Sequence, residues 1–473
     1  MKLINLRSRT KSLFLFLAAD KRGFRGFIIL ILNPRNPRLS AAKLNLCDCL
    51  VTLFFILCAA ISTVQAQTAL KFDFGAGRVE KAYTQVTEKD VYAAEKGFGF
   101  EANQAIECID RKDKNALRAD FCTSRQPFYF SAKVAEGNYK VTVTFGDKNE
   151  PAALTVKAEL RRLMIEKAVA EKGKFRSVTF IVNVRNPEFP GGIVKLKDRE
   201  KTMEWWAWDD KLTLEFNGAA PKINAVEIER ISNIPTVFLM GDSTVCDQPR
   251  EPYASWGQML TAFFAPRVAL ANHAESGETL RSSFGAKRLE KVLSQLKAGD
   301  FVLIQFAHND EKEKGVGTGA MTTFKASLKQ YVAAIRAKGG TPVLITPMHR
   351  RTFDADGKIT NSHGDYPEAV RLAAKEGGVA LIDLTAASKD FYEALGKEKS
   401  AVAFKEGDGT HHNNYGAYEL ARMIGDSIRA QKTPLAKYLI DDLPPFDARK
   451  PDSFEAFAVP ASPLVTDIKP LGN

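Results

Sequence analysis

The sequence predicts an all-β sandwich over residues 67–234 followed by an α/β domain over residues 235–440. In the first part, short alternating apolar runs are separated by Gly, Asn, Asp and Pro, which is typical of a sandwich. In the second part, apolar runs of five or six residues alternate with helical patterns. That alternation indicates a parallel sheet with both faces covered by helices.

The individual elements follow from this patterning. The sandwich strands are predicted at 70–74, 128–130, 139–145, 154–160, 178–184, 212–216 and 223–228. The strands of the α/β domain are predicted at 235–240, 267–272, 301–306, 342–346 and 379–384, and its helices at 255–264, 286–296, 324–337, 367–375 and 415–429. Residues 441–473 are rich in proline and lack periodicity, so they are predicted to be a tail that wraps the surface.

The first 66 residues are predicted to be a leader segment. Leu50 to Ile61 is an apolar stretch too short to span a bilayer, and Val64 to Ala66 offers small residues for signal cleavage. A membrane anchor is the alternative. The basic segment from Met1 to Lys43 is unusually long for a signal peptide, which we interpret as a start codon assigned too early. We therefore expect a secreted or periplasmic protein without a stable membrane span in its mature chain.

The basic charge of the chain is concentrated in this leader. The whole chain has 67 Lys and Arg against 56 Asp and Glu, whereas residues 67–473 have 57 against 54, a net charge of +3. A near-neutral surface argues against a nucleic-acid partner, for which a concentrated basic face is expected. It leaves an acidic polysaccharide open as a ligand.

Three of the six cysteines follow the leader. In an oxidising compartment Cys108 and Cys122 could form a disulfide, with two free thiols equally compatible with the sequence. Cys246 is expected to be free and packed in the interior.

The turn Gly241-Asp242-Ser243-Thr244 directly follows the predicted strand 235–240. A serine at the end of a buried strand is where an α/β hydrolase presents its nucleophile, although an Asp-Ser turn can also be a simple helix cap. A serine hydroxyl needs a neutral imidazole within hydrogen-bond reach to remove its proton. His411 supplies an imidazole, and Asp408, three residues earlier on the same predicted loop, supplies a carboxylate to orient it.

Two further predicted strands end in residues that could stabilise an oxyanion. The strand 267–272 leads to Gly277, which can offer an unobstructed backbone N–H, and the strand 301–306 leads to Asn309, which can offer a side-chain amide. In a parallel sheet these strand ends lie at one edge, where ligands bind. An ordinary turn glycine and an Asx-turn asparagine are the alternatives.

These four blocks resemble those of the SGNH (GDSL-like) hydrolases, and within them the rhamnogalacturonan acetylesterase family, over residues 235–439. The resemblance implies a flavodoxin-like three-layer α/β/α domain and a serine esterase without a cofactor. It implies Ser243, Asp408 and His411 as catalytic residues and Ser243, Gly277 and Asn309 as oxyanion-hole donors. Where the family commonly has glycine, this chain has Ala307, which is compatible if its φ is negative.

The sandwich has a weaker resemblance of its own. Lys71 to Gly75 and Gly137 to Val143 are similar to segments of galactose-binding-like or malectin-like domains of carbohydrate-active enzymes. The cluster of Trp205, Trp206 and Trp208 is interpreted as buried or interfacial, with stacking on sugar rings as the alternative.

Five more residues are candidates for substrate binding: His308, His349, Arg350, Arg351 and His412. The two arginines could bind a uronate carboxylate, with simple surface solvation equally possible. His412 is also an alternative to His411 as the base, and His308 is more compatible with support of the oxyanion loop than with direct substrate contact.

No metal is expected in the catalytic chemistry. The segment Asp354 to Gly357 resembles the start of a calcium loop, but the closing glutamate is missing and a hairpin turn is the simpler interpretation. No phosphate-binding or dinucleotide motif follows a predicted strand.

The sequence therefore predicts a secreted carbohydrate esterase that removes acetyl groups from a plant polysaccharide, with pectic rhamnogalacturonan implied by resemblance. A lipase or xylan acetylesterase of the same fold, and a non-catalytic glycan-binding protein, are the alternatives. The oligomeric state is left open.

Overall fold

The computed structural model describes residues 3–8, 11–16, 29–30 and 69–471, in two compact units, Met1–Ala66 and Gln67–Asn473. In the first unit, the strands Leu3–Ser8, Lys11–Phe16 and Ile29–Leu30 form an antiparallel sheet. The predicted apolar stretch 50–61 and cleavage site 64–66 lie outside the described residues. In the described part of the chain, no helix combines the length and the apolar character that a membrane crossing needs.

The second unit begins with a β-sandwich. Its strands are β1 Leu70–Phe74, β2 Thr84–Val86, β3 Phe98–Phe100, β4 Glu107–Asp110, β5 Asp120–Thr123, β6 Phe128–Lys133, β7 Gly137–Gly146, β8 Ala152–Ala158, β9 Arg162–Ala170, β10 Phe175–Val184, β11 Lys211–Ala220 and β12 Lys222–Ile231. A short helix, α1 (Ala116–Ala119), precedes β5, the strands Glu188–Phe189 and Gly192–Ile193 form a small hairpin, and α2 (Asp198–Thr202) precedes β11.

Two sheets face each other in this sandwich. One has the order β10-β7-β12-β1-β2 with the β4–β5 hairpin attached to β12, and the other has the order β9-β8-β11-β6-β3. The space between them is filled by phenylalanines in edge-to-face contact, including Phe74 against Phe130 with ring centroids 4.9 Å apart. The predicted all-β sandwich is confirmed.

The chain continues into an α/β layer. Its strands are β13 Thr236–Gly241, β14 Ala269–Asn272, β15 Phe301–Gln305, β16 Thr341–Ile345 and β17 Ala380–Ile382. Its helices are α3 Trp256–Leu260, α4 Leu280–Gly285, α5 Arg288–Gln295, α6 Lys325–Ala337, α7 Tyr366–Gly377, α8 Leu384–Leu395 and α9 Asn414–Ala430.

All five of these strands are parallel, in the order β14-β13-β15-β16-β17. This is the flavodoxin-like order in which the second strand lies outside the first. Alternate residues of β13 face opposite sides: Val237 and Leu239 pack with α3, α8 and α9, whereas Phe238 and Met240 pack with α4 to α7. The predicted three-layer α/β/α domain is confirmed, and the domain boundaries after residues 234 and 440 stay predictions.

Several elements differ from those expected. β9 was not predicted, because its apolar residues are interrupted by the charged Arg162, Glu166 and Lys167. The helix expected at 286–296 is α5, Arg288–Gln295, which follows Lys287 in a left-handed conformation with φ of 62°, whereas α4 before it was not predicted. Helix α8 was also missed.

The tip of the β8–β9 hairpin enters the α/β domain. Arg161 is 5% exposed and forms an ion pair with Glu251 at 2.6 Å, and its guanidinium also donates to the carbonyl of Tyr253 at 2.8 Å. Its neighbour Arg162 lies 3.3 Å from the carboxylate of Asp247. These contacts join the sandwich to the segment that follows Ser243.

The tail also contacts both domains. Lys157 of the sandwich donates to the carbonyl of Pro460 at 2.7 Å and to Ser462 at 2.8 Å. The backbone N–H of Ser462 donates to Glu251 at 2.8 Å, and Val465 pairs with Glu251 in a parallel bridge. Glu251 is therefore shared by the sandwich, the α/β domain and the tail.

The cysteines and one of the tryptophans agree with the interpretations drawn from the sequence. Cys108 and Cys122 form a disulfide between β4 and β5, and Cys246 is free and buried. Trp208 is 8% exposed and packs between the guanidinium of Arg185 and the ring of His273, so it is interfacial as expected. Trp205, in contrast, is 42% exposed.

We expect Arg161→Met to lower the free energy of unfolding by about 3–5 kcal/mol, because the buried Glu251 carboxylate loses its cation at 2.6 Å and is left with Lys157 at 4.0 Å. Denaturant unfolding followed by fluorescence measures the change. Lys140→Met is the matched control, since its ion pair with Glu229 is 43% and 48% exposed and should contribute at most about 1 kcal/mol. Equal losses in the two variants would contradict the importance of the buried pair.

Candidate active site

Ser243 follows β13 in a turn held by its neighbours. Asp242 accepts hydrogen bonds from the Thr244 backbone at 3.0 Å and the Thr244 hydroxyl at 2.7 Å. That hydroxyl accepts from the amide of Gln305 at 2.7 Å, and Gln305 accepts in turn from the indole of Trp256 at 2.9 Å. The turn is thus fixed to the neighbouring strand β15 and to α3.

The predicted serine, histidine and aspartate form one chain of hydrogen bonds. Nε2 of His411 lies 2.9 Å from Oγ of Ser243, and Nδ1 of His411 lies 2.8 Å from Oδ2 of Asp408. The other carboxylate oxygen accepts from the backbone N–H groups of Thr410 at 2.8 Å and of His411 at 3.1 Å. All three side chains of the chain are buried.

The electrostatics keep Asp408 ionised. Burial alone would raise the pKa of Asp408, but the hydrogen bond and charge of His411 and the two backbone N–H groups outweigh it and hold the pKa well below its ordinary value. An ionised carboxylate at Nδ1 selects the tautomer in which Nε2 can accept a proton from Ser243.

Gly277 and Asn309 flank Ser243 because β14 and β15 flank β13. Gly277 has φ of 74°, and the N–H groups of Ser243 and Gly277 have no hydrogen-bond acceptor among residues 69–471. The amide of Asn309 donates one hydrogen to the carbonyl of Glu278 at 3.0 Å, and an amide carries two. Three N–H groups are therefore available at this edge of the sheet.

The sandwich supports the Gly277 loop. Nζ of Lys197 donates to the carbonyl of Ser276 at 2.5 Å and lies 3.1 Å from the carboxylate of Glu278. These residues precede and follow Gly277. Lys197 therefore holds the loop on both sides of its central N–H.

His412 is not placed to act on Ser243 or on a substrate. It is 1% exposed, its Nε2 lies 2.7 Å from the Tyr392 hydroxyl, and its ring packs on Phe404. Burial lowers the pKa of His412 to about 3, so the ring is neutral at neutral pH. The structure thus favours His411 over His412 as the base.

Two more histidine candidates are also enclosed. His308 is 1% exposed, lies 3.5 Å from the Asp242 carboxylate and packs on the ring of His363. Burial lowers the pKa of His308 to about 4. His349 is 6% exposed and stacks on the other side of His363. These histidines pack against the loops around Ser243, and their role in substrate binding stays a prediction.

The two candidate arginines are bound to the protein itself. Arg350 forms an ion pair with Glu311 at 2.5 Å and donates to the carbonyl of His308 at 3.2 Å. Arg351 donates to the Ser400 hydroxyl at 2.9 Å, and its backbone N–H donates to Gly409 at 2.7 Å. Both guanidinium groups therefore have partners within the protein, and their role in binding a uronate stays a prediction.

Ala307 also departs from expectation. Its φ is 134°, not negative, and its side chain is fully buried. A non-glycine residue in this region is strained by about 1–3 kcal/mol. The strain is located between β15 and Asn309.

One group of acids in the described residues has the geometry of a metal site: Glu200, Glu204 and Glu275. Glu200 forms an ion pair with Arg288 at 2.6 Å, and Glu204 forms one with Arg199 at 2.5 Å. Burial, and then the charge of Glu204, raises the pKa of Glu275 well above its ordinary value. Two of the three carboxylates are therefore already paired with cations. Residues 354–357, in contrast, form the expected hairpin turn.

Sequence comparisons agree with both domains. Residues 239–419 match the GDSL-like Lipase/Acylhydrolase family, and residues 70–168 match the Beta-agarase/YXIM esterase-like, galactose-binding domain-like family. The chain is 38% identical over 219 residues to rhamnogalacturonan acetylesterase RhgT of Bacillus subtilis (strain 168), which covers 43% of this chain and 94% of that protein.

A second relative spans both domains. The uncharacterized esterase YxiM of Bacillus subtilis (strain 168) is 26% identical over 378 residues, covering 76% of this chain and 91% of YxiM. The crystal structure of YxiM aligns with a TM-score of 0.42 at 24% identity, covering 77% of this chain and 99% of that chain.

These matches define an ester hydrolase with an additional galactose-binding-like domain. The chain belongs to the GDSL-like lipase/acylhydrolase family, which confirms the resemblance drawn from its four sequence blocks. The roles assigned to individual site residues stay predictions.

Sequence reasoning missed several residues around Ser243. Gln248 donates to the carbonyl of Ser243 at 2.8 Å, and the ring of Tyr253 packs edge-on to His411 with centroids 5.9 Å apart. Lys469 of the tail lies 3.7 Å from Asp408. Gln248 and Tyr253 follow Ser243 closely enough to suggest proximity, whereas no local pattern marks Lys197 or Lys469.

We expect Ala307→Gly to raise the free energy of unfolding by about 1 kcal/mol, because relief of the φ strain exceeds the entropic cost of glycine. Thermal unfolding by calorimetry is the measurement. Ala271→Gly, at an equally buried position in regular strand β14, is the control and should be destabilising by about 1 kcal/mol. A loss of stability in both variants would contradict strain at Ala307.

Proposed function

We propose that this protein is a secreted or periplasmic acetylesterase that removes O-acetyl groups from pectic rhamnogalacturonan by serine-based acyl transfer to water. The observation that carries the proposal is the hydrogen-bonded chain from Ser243 through His411 to Asp408. The likeness to RhgT, whose name states the rhamnogalacturonan substrate, supports the choice of polysaccharide. The leader predicted from residues 1–66 supports the location.

In the proposed reaction, Oγ of Ser243 attacks the acetyl carbonyl while Nε2 of His411 takes its proton. Asp408 stabilises the imidazolium that forms. The negative charge on the carbonyl oxygen is received by the N–H groups of Ser243 and Gly277 and by the free hydrogen of the Asn309 amide. His411 then returns the proton to the sugar oxygen, and a water molecule repeats the sequence to release acetate.

A non-catalytic glycan-binding role is less compatible with this site. A scaffold that only binds sugar has no requirement for an imidazole 2.9 Å from a serine hydroxyl and 2.8 Å from a carboxylate. It also has no requirement for three N–H donors around that hydroxyl.

We expect Ser243→Ala to reduce acetate release from acetylated rhamnogalacturonan by at least about 10⁴-fold, because it removes the hydroxyl that lies 2.9 Å from Nε2 of His411. Acetate is measured enzymatically with acetylated rhamnogalacturonan, acetylated xylan and p-nitrophenyl acetate as substrates. Ser232→Ala, at a surface position between the domains, is the control for an unrelated serine loss. Retained turnover in Ser243→Ala would refute the proposed nucleophile, and faster release from xylan than from rhamnogalacturonan would refute the proposed substrate.

Asn309→Ala is expected to lower kcat about 10²–10³-fold, since one charge-stabilising donor is lost from the transition state. Steady-state kinetics with p-nitrophenyl acetate isolates this effect from polysaccharide binding. Asn149→Ala, on an exposed turn of the sandwich, is the matched asparagine control. An unchanged kcat in a folded Asn309→Ala variant would remove Asn309 from the oxyanion hole.

A further inference from the structure

A cavity of about 360 Å³ lies beside Ser243 and is lined by three separate parts of the chain: residues 197–203 of the sandwich, residues 248–253 after the nucleophile, and residues 466–471 of the tail. One lining residue contacts each member of the proposed triad. Gln248 donates to the Ser243 carbonyl at 2.8 Å, Tyr253 packs on the His411 ring, and Nζ of Lys469 lies 3.7 Å from Asp408. The cavity therefore adjoins residues that contact the proposed triad.

The charges that line the cavity are strongly unequal. Four cations, Lys197, Arg199, Arg250 and Lys469, surround it against one carboxylate, Asp198. Lys197 and Arg199 are already bound to Glu278 and Glu204. These carboxylates partly neutralise the positive charge of the two cations.

Arg250 and Lys469 differ from that pair. Among residues 69–471, Arg250 has no ion-pair or side-chain hydrogen-bond partner. Lys469 is 47% exposed, and its Nζ lies at 3.7 Å from Asp408, which is longer than a hydrogen bond. Both cations can therefore accept an anionic ligand from the cavity side, and a guanidinium binds a carboxylate through two parallel N–H groups.

The wall between these cations is apolar. Met203, Tyr253 and Ile468 contribute to it. An aromatic ring beside cationic groups fits a sugar that presents C–H groups on one face and a carboxylate at its edge. A fatty acyl chain would leave Arg250 and Lys469 without a partner.

We propose that this cavity is a subsite for a uronic-acid unit of the polysaccharide, with Arg250 and Lys469 binding its carboxylate. This inference rests on the proposed function and adds a specificity-determining site to it. It also assigns a role to the sandwich, because residues 197–203 form one wall of the subsite.

The test compares Arg250→Gln, Lys469→Gln and the double variant with the wild-type protein on acetylated rhamnogalacturonan oligosaccharides and on p-nitrophenyl acetate. Each single variant should lower kcat/KM on the acidic substrate about tenfold relative to its own kcat/KM on the small ester, mainly through KM. Arg449→Gln and Lys437→Gln remove exposed cations outside the cavity and are the matched controls. Each variant is first checked by thermal unfolding, and two independent single variants protect the test against misfolding of one.

Removal of the charge from the ligand provides the second arm. Methyl esterification of the uronate carboxylates should lower kcat/KM of the wild-type protein about tenfold and should hardly change kcat/KM of the double variant. If kcat/KM of the variants falls equally on acidic and small substrates, or falls no more than in the controls, the subsite proposal is wrong while the esterase proposal stands. If the wild-type protein releases acetate only from p-nitrophenyl acetate, the polysaccharide proposal itself has failed.

Discussion

The ion pair between Arg161 and Glu251 is the contact on which the arrangement around Ser243 depends. A guanidinium and a carboxylate removed from water lose several kcal/mol of hydration each, and their attraction compensates only if the geometry is close. Here the pair is 2.6 Å apart, and Glu251 also accepts from Asn414 of α9 and Ser462 of the tail. The sandwich, the nucleophile segment and the tail cannot move independently without leaving a buried charge unpaired.

The parallel sheet brings residues that are distant in the sequence together. Because β13 lies between β14 and β15, the loops after these strands are on either side of Ser243. The Gly277 and Asn309 loops therefore come together although the two residues lie 32 positions apart in the chain, and the Asn309 amide donates to the carbonyl of Glu278 at 3.0 Å. The loop before α9 closes the site with Asp408 and His411. The order of strands explains why the first three blocks meet, and the loop before α9 brings in the fourth.

Much of the site could be predicted because its residue types have few other uses in this pattern. Ser243, Asp408 and His411 stand at strand ends or on one loop, so local sequence was sufficient. The arginines at 350 and 351 could not be assigned in the same way, since their partners Glu311 and Ser400 are brought near by tertiary folding. The sequence shows the sign of a side chain's charge, but it does not show whether another residue in the fold already pairs with that charge.

The fold shows the same division. Strands with alternating apolar residues were predicted, but β9 was missed because charged residues break its apolar pattern. Those charged residues contact the α/β domain. Arg162 is 2% exposed and bonds to Asp247, and Glu166 accepts from the Tyr418 hydroxyl at 2.5 Å. Polar residues on a strand normally indicate a solvent-facing side, whereas here they face another domain.

The network beneath Gly277 links this junction to the chemistry. Arg288 binds Glu200 of α2 with both groups fully buried, and Glu278 lies 3.4 Å from the same guanidinium. Lys197, next to α2, then holds the carbonyl of Ser276. An oxyanion-hole donor has to be fixed before charge develops, because reorientation during the reaction would cost part of the stabilisation. Helix α2 of the sandwich is anchored by buried ion pairs and provides that fixed position. The sandwich therefore contributes to the alignment of the proposed esterase site as well as to the wall of the cavity.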